Sequence, residues 1–136
     1  QSALPMQPDT LYYLTDKTIE AASVWNLEKN RTEDIYQQSI LNEEGVVDKY
    51  DIFMGGAASV QIITSPKAQT GRKLIIFRDS FTSSLAPLLS EVYHEIILID
   101  TRYIASSLLG EYVDFSNADV LFLYNTILLN HASMLK

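Results

Sequence analysis

Three uninterrupted apolar runs mark the second half of the chain: Leu74-Ile75-Ile76-Phe77, Ile96-Ile97-Leu98-Ile99 and Val120-Leu121-Phe122-Leu123. Each is bounded by polar residues and offers water no polar face, which predicts strands buried on both sides. Helical stretches separate them, Ser84 to Val92 between the first two and Ser106 to Tyr112 between the last two. Strand and helix alternating at about 20 residues predict right-handed βαβ crossovers, with the three runs as parallel neighbours. Pro87 is tolerated only in a first helical turn, so the helix before Val92 needs a cap near Ser83 or Ser84, or a kinked start.

The first half is less regular. Leu11-Tyr12-Tyr13-Leu14 reads as a short strand. Lys17 to Glu28 has no breaker and reads as a helix, with Asp16 as its N-cap and Glu20 in its first turn. Thr32 to Leu41 reads as a second short helix capped by Thr32. Tyr50 to Met54 predicts a strand ending at Gly55-Gly56, and Ser59 to Thr64 another before Pro66. Thr70-Gly71 signals a turn, and Gln1 to Asp9, with Pro5 and Pro8, an extended lead-in. No internal repeat is found. The expectation is one domain over residues 1–136: α/β, three layers, a mostly parallel sheet with helices on both faces, flavodoxin-like in plan.

Composition narrows the function. At 136 residues and 47% hydrophobic, the chain has enough apolar side chains for a core. Its net charge of −7 argues against nucleic acid and anionic membrane surfaces, which are bound through Lys and Arg. No apolar run is long enough to span a bilayer, and the first residues do not read as an intact signal peptide. With no cysteine and only His94 and His131, thiol chemistry and His-rich or Cys-ligated metal sites are out. The acidic residues Glu43, Glu44 and Asp48 lack a ligand spacing and read as an exposed loop. No cofactor and no metal are expected.

Ligands of open parallel sheets bind beyond the carboxyl ends of the strands. That selects Gly55-Gly56-Ala57, Arg78-Asp79-Ser80-Phe81, Asp100-Thr101-Arg102 and Asn125. A serine on a tight strand-to-helix turn presents its hydroxyl above the sheet near backbone N–H groups, as a hydrolase nucleophile requires. Asp79 and Ser80 serve equally well to cap a helix, and the tripeptide leaves both readings open. Asp100 and Arg102 line the same edge or form a structural ion pair. Tyr12, Tyr13, Tyr50 and Tyr103 suit half-buried packing with a wet hydroxyl, or stacking on a sugar.

The segments YDIFMGG (Tyr50 to Gly56), KLIIFRDSF (Lys73 to Phe81), SEVYHEIILIDTRY (Ser90 to Tyr103) and LYYLTD (Leu11 to Asp16) together resemble the DHHW proteins. That family is envelope-associated and bacterial, SGNH-hydrolase-like, and akin to the alginate O-acetyltransferases. The resemblance covers about half of the chain, and Trp25 to Asp48 is shorter than the corresponding family region. It implies a Ser-His-Asp arrangement with Ser80 as nucleophile and Asp16 as the acid that orients the base. The base is missing: Lys17 and Thr18 stand at the two histidine positions and Ile19 at the tryptophan. Ala57 replaces the asparagine that follows the double glycine, an oxyanion donor. Base catalysis is worth typically ~10²–10⁴-fold and one oxyanion donor ~10²–10³-fold.

His94 precedes the second apolar run, at the amino end, away from Ser80. His131 is the other candidate base, although Leu128-Leu129-Asn130 precede it instead of an Asp-x-x-His pattern. The resemblance thus implies an envelope or extracellular domain with the SGNH fold and little catalysis. It would bind an envelope carbohydrate or an acylated ligand, with Gly56, Ala57, Asp79, Asn125 and Arg102 around Ser80. The alternatives are an active esterase or O-acetyltransferase using Ser80 with His131, and a structural or interaction module.

Overall fold

The computed structural model describes residues 10–42 and 48–135. The lead-in Gln1 to Asp9 and the acidic residues Glu43 and Glu44 lie outside the described residues. Six strands form one sheet in the order β2-β1-β3-β5-β4-β6. They are β1 (Ser23–Asn26), β2 (Arg31–Asp34), β3 (Val60–Thr64), β4 (Lys73–Arg78), β5 (Glu95–Ile99) and β6 (Ala118–Leu123).

The three apolar runs lie side by side and parallel, as their pattern predicts. β4 is between β5 and β6, with Ile75 opposite both Ile97 and Val120. The remaining half corrects the expectation of a mostly parallel sheet, because β1 pairs antiparallel with β2 and β3, and β3 antiparallel with β5. Short connections are the cause. β1 and β2 are joined by a tight turn through Asn30, which adopts φ 47°. Eight residues without a helix link β3 to β4, too few for a parallel crossover.

The helix expected over Lys17 to Glu28 is a series of turns followed by β1. Its last residues alternate in burial, with Val24 and Asn26 inside and Ser23 and Trp25 half-buried, which is a strand's period of two. The helix expected from Thr32 to Leu41 yields to β2 and leaves only α1 (Ser39–Asn42). Leu11 to Leu14 joins no ladder. Tyr50 to Met54 forms a 3₁₀ turn over Lys49–Ile52, capped by Asp48, with one bridge from Phe53 to Tyr36.

The flanking helical pieces are equally short. A 3₁₀ turn at Ser80–Ser84 runs into α2 (Ala86–Leu89), which holds Pro87 in its first turn as the missing N–H demands. Another 3₁₀ turn occupies Ser106–Glu111, and α3 (Thr126–Asn130) follows β6.

Alternation along β4 and β5 sends side chains to two cores. Leu74, Ile76, Ile96 and Leu98 pack with Ile19, Val24, Ile52 and Met54 on one face. Ile75, Ile97 and Ile99 pack with Val60, Ile104, Leu109 and Val113 on the other. Each such side chain contributes about 1.5–3 kcal/mol by leaving water. β6 departs from the expected two-sided burial: it is the sheet's edge, and Phe122 keeps 67% of its surface exposed.

Candidate functional site

Parallel pairing brings the carboxyl ends of β4, β5 and β6 to one edge of the sheet, where Asp79, Asp100 and Asn125 follow the strands. Asp79 is buried and in extended conformation, so its carboxylate turns back over the next turn of chain. One oxygen accepts from the Phe81 N–H at 3.0 Å. The other accepts from the Asn125 N–H at 2.6 Å and from Asn125 Nδ2 at 2.8 Å. Asn125 in turn caps α3, its side-chain oxygen accepting from the Leu128 N–H at 2.8 Å. Asp79 therefore caps one helical turn and fastens the start of another.

Ser80 opens the 3₁₀ turn with its side chain exposed, and among the described residues its hydroxyl has no hydrogen-bond partner. Beside it lies an open cavity of about 310 Å³ lined by Asp79, Phe81, Thr82, Leu123, Tyr124 and Asn125. The Tyr50 hydroxyl donates to the Phe81 carbonyl at 3.4 Å, closing a second side of the same turn.

Arg78 belongs to the strand-end loop that the sequence selects, but the sequence assigns it no role. Its guanidinium is fully buried, donating from Nη2 to Gln61 Oε1 at 2.7 Å and from Nη1 to Ser83 Oγ at 3.1 Å. Gln61 Nε2 donates onward to the carbonyls of Met54 at 2.9 Å and Gly56 at 3.4 Å. The chain Arg78–Gln61–Gly56 thus ties the double-glycine turn to the end of β4, two residues before Ser80. Burial pushes the Arg78 guanidinium below its ordinary value, opposed mainly by the negative charge of Asp100. A charged residue closing an apolar strand immediately before Asp-Ser was the available sequence signal.

The glycine turn needs its glycines. Gly55 and Gly56 have φ of 73° and 91°, and a Cβ on Gly56 would stand 2.8 Å from Asp51 Oδ1. Ala57, next in the chain, is exposed and carries no donor beyond its backbone. At the end of β5, Arg102 grips Asp100 with two bonds, Nε to Oδ1 at 2.9 Å and Nη2 to Oδ2 at 2.6 Å. Asp100 is fully buried, so this is a structural ion pair, and the bond to Asp100 raises the Arg102 pKa.

The implied triad does not come together by hydrogen bonding. Asp16 Oδ1 accepts from the N–H groups of Thr18 and Ile19, both at 2.8 Å, capping the turns before β1. His131 is the exposed C-cap of α3, its Nδ1 2.9 Å from the Ile127 carbonyl. His94 lies at the amino end of β5 with Nδ1 2.9 Å from the Ser65 carbonyl, on the sheet edge opposite Ser80. Tyr36, within the stretch expected as a helix from Thr32 to Leu41, has no role assigned from the sequence: its hydroxyl donates to the Leu14 carbonyl at 2.7 Å, and burial pushes its pKa up to about 12. Among the described residues no group of three or more His, Asp or Glu side chains suits a metal ion. No helix there is long and apolar enough to cross a membrane.

A mixed six-stranded sheet flanked by short helical pieces, whose parallel half presents an Asp-Ser turn at its carboxyl edge, defines an α/β protein. The chain is similar to a DHHW family protein from Eubacterium siraeum, at 25% identity and a TM-score of 0.52 over 79% of this chain and 36% of that one. It is also similar to PatB1 of Bacillus cereus, at 18% identity and a TM-score of 0.57. The same protein solved with a sulfonyl adduct gives 19% and 0.55, again over 79% of this chain and 36% of that one. No family model and no curated protein matches the chain. The resemblance to the DHHW family holds, in a chain that spans 36% of the length of these solved proteins.

Proposed function

We propose that this chain is a degenerate SGNH-hydrolase-like domain of a bacterial envelope protein, with residues 1–136 acting as one unit. It binds an envelope carbohydrate or an acylated ligand at the carboxyl edge of β4 and β6 and has little or no catalysis. One observation carries the reading: the Ser80 hydroxyl is exposed without a hydrogen-bond partner among the described residues, while both oxygens of Asp79 are engaged in capping. An alcohol without a neighbouring base stays protonated at neutral pH and is a weak nucleophile. Ser80, Gly56, Ala57 and Asn125 would then line the ligand site, with Arg102 at its border.

The exposed hydroxyl favours a second reading, an active esterase or O-acetyltransferase. That reading requires the His131 ring to leave the Ile127 carbonyl and reach Ser80. A sulfonyl fluoride separates the two, since PatB1 has been solved with a sulfonyl adduct. Mass spectrometry of the treated chain should show no stoichiometric adduct. An adduct at one equivalent that disappears in Ser80→Ala, with ester turnover lost in His131→Ala, overturns the degenerate reading.

A further inference from the structure

The two edges of the sheet are chemically opposite. β2 ends it on one side with Arg31-Thr32-Glu33-Asp34, three charged residues in four, which discourages addition of another strand. β6 ends it on the other with Val120-Leu121-Phe122-Leu123. Among the described residues no strand pairs with that edge, and it is lightly protected. It contains no lysine and no proline, and its register with β4 runs unbroken from Ala118 to Leu123, so no bulge turns it aside. Its one charge, Asp119, is ion-paired with Arg72 of its own chain.

The apolar side chains stand on both faces of this edge. Val120 and Phe122 continue the face of Ile75 and Phe77, and Phe122 stacks on Phe77 with ring centroids 4.7 Å apart. Leu121 continues the opposite face beside Ile76. Exposure is 50% for Val120, 38% for Leu121 and 67% for Phe122, with Phe115 at 42% and, in α3, Ile127 at 72% and Leu129 at 53%. At ~150–200 Å² per large side chain the three in β6 and Phe115 expose on the order of 350 Å². A two-fold pair would therefore bury on the order of 700 Å², the size of a weak, reversible interface.

We propose that β6 pairs antiparallel with β6 of a second copy about a two-fold axis at Leu121, making one continuous sheet of two chains. This register sets Leu121 against the partner's Leu121 and Val120 against the partner's Phe122, so each face meets like with like. Asp119 falls opposite the partner's Leu123, which keeps the two carboxylates apart. Pairing of β6 with β2 would instead repeat without closing, and the charges of β2 oppose it.

Sedimentation equilibrium on the 136-residue chain should show a dimer with a micromolar dissociation constant. Phe122→Lys and, separately, Val120→Lys should each weaken association at least tenfold while the circular dichroism spectrum stays native. Because the chain has no cysteine, Leu121→Cys reports register directly. Opposed residues of an antiparallel pair are ~4.5–5.5 Å apart at Cα, within the ~4.4–6.8 Å that a disulfide spans. Oxidation should cross-link Leu121→Cys and leave Thr32→Cys, on the β2 edge, uncross-linked. A monomer at several hundred micromolar, a dimer indifferent to both lysine variants, cross-linking at Thr32→Cys instead, or growth into filaments would each overturn the proposal.

Discussion

Replacing Asp79 with alanine tests whether this residue is a structural clamp. Its buried carboxylate accepts three N–H bonds, one from Phe81 and two from Asn125, at 2.6–3.0 Å. Loss of an N-cap costs about 1 kcal/mol. Hydrogen bonds to a charged acceptor are worth about 1.5–3 kcal/mol each, and two of these join β4 to the start of α3. The bonds are not independent, since water reaches Asn125 once the carboxylate is gone, so the expected loss is about 3–5 kcal/mol. Asp79 also supplies negative charge beside the buried Arg78, which alanine removes. Against a total stability of about 5–15 kcal/mol this is a severe change. Urea unfolding followed by circular dichroism should show the midpoint falling with the slope unchanged. Asp79→Asn retains an acceptor for Phe81 but turns an amide toward the donors of Asn125, so it should recover little. A double-mutant cycle with Asn125→Ala should give a coupling of at least about 1.5 kcal/mol. A loss below about 1 kcal/mol for Asp79→Ala would refute the clamp and return Asp79 to the list of groups free to act on a ligand.

Two further expectations rest on single residues. Tyr36 has a pKa raised to about 12 by burial first and then by the charges of Tyr13 and Asp16, so the unfolded chain ionises at this phenol before the folded one does. Its stabilising contribution is full below pH 10 and lost as pH rises toward 12; thermal melts should steepen in that window and flatten in Tyr36→Phe, and identical pH profiles would contradict it. Gly56→Ala should cost about 1–3 kcal/mol, because φ is 91° and the new Cβ meets Asp51. Gly71→Ala, with nothing within 4 Å, should be nearly neutral in the same urea titration, and equal effects at the two sites would sink the argument.

The parallel half of the sheet was legible because Leu74–Phe77 and Ile96–Ile99 are apolar at every position, the pattern that suits a strand covered on both faces. Val120–Leu123 carries the same pattern on an edge, where pattern alone does not distinguish a core neighbour from a surface awaiting a partner. β1 and β2 were hidden by length: four residues of period-two burial, Ser23 to Asn26, sit inside a breaker-free stretch with good helical propensity. The turn that makes them a hairpin is signalled only by Asn30, one of the few residue types that accept positive φ. Asp79 and Asn125 were legible as strand-end residues. Arg78 was legible as a strand-end residue but its buried role was not, because its main partner is Gln61 on β3, 17 positions away, and a buried arginine is recognised only when its acceptor is known.

Two of the three residues that the DHHW resemblance implicates in catalysis or its immediate motif have structural duties that account for them without chemistry. Asp16 holds the N–H groups of Thr18 and Ile19, and Ile19 is a core residue on the face of Leu74 and Ile76. Asp79 holds Phe81 and Asn125. Either carboxylate would be retained by a chain that needs only the fold, so neither argues for an active triad. Ser80 is different: its exposed side chain makes no hydrogen bond among the described residues, and removing its hydroxyl should leave stability nearly unchanged. That separates ligand binding from folding. If Ser80→Ala weakens binding of an O-acetylated oligosaccharide while melting as the parent does, the hydroxyl touches ligand. If binding and melting are both unaltered, the Asp-Ser turn is a cap and the recognition surface lies elsewhere on the carboxyl edge.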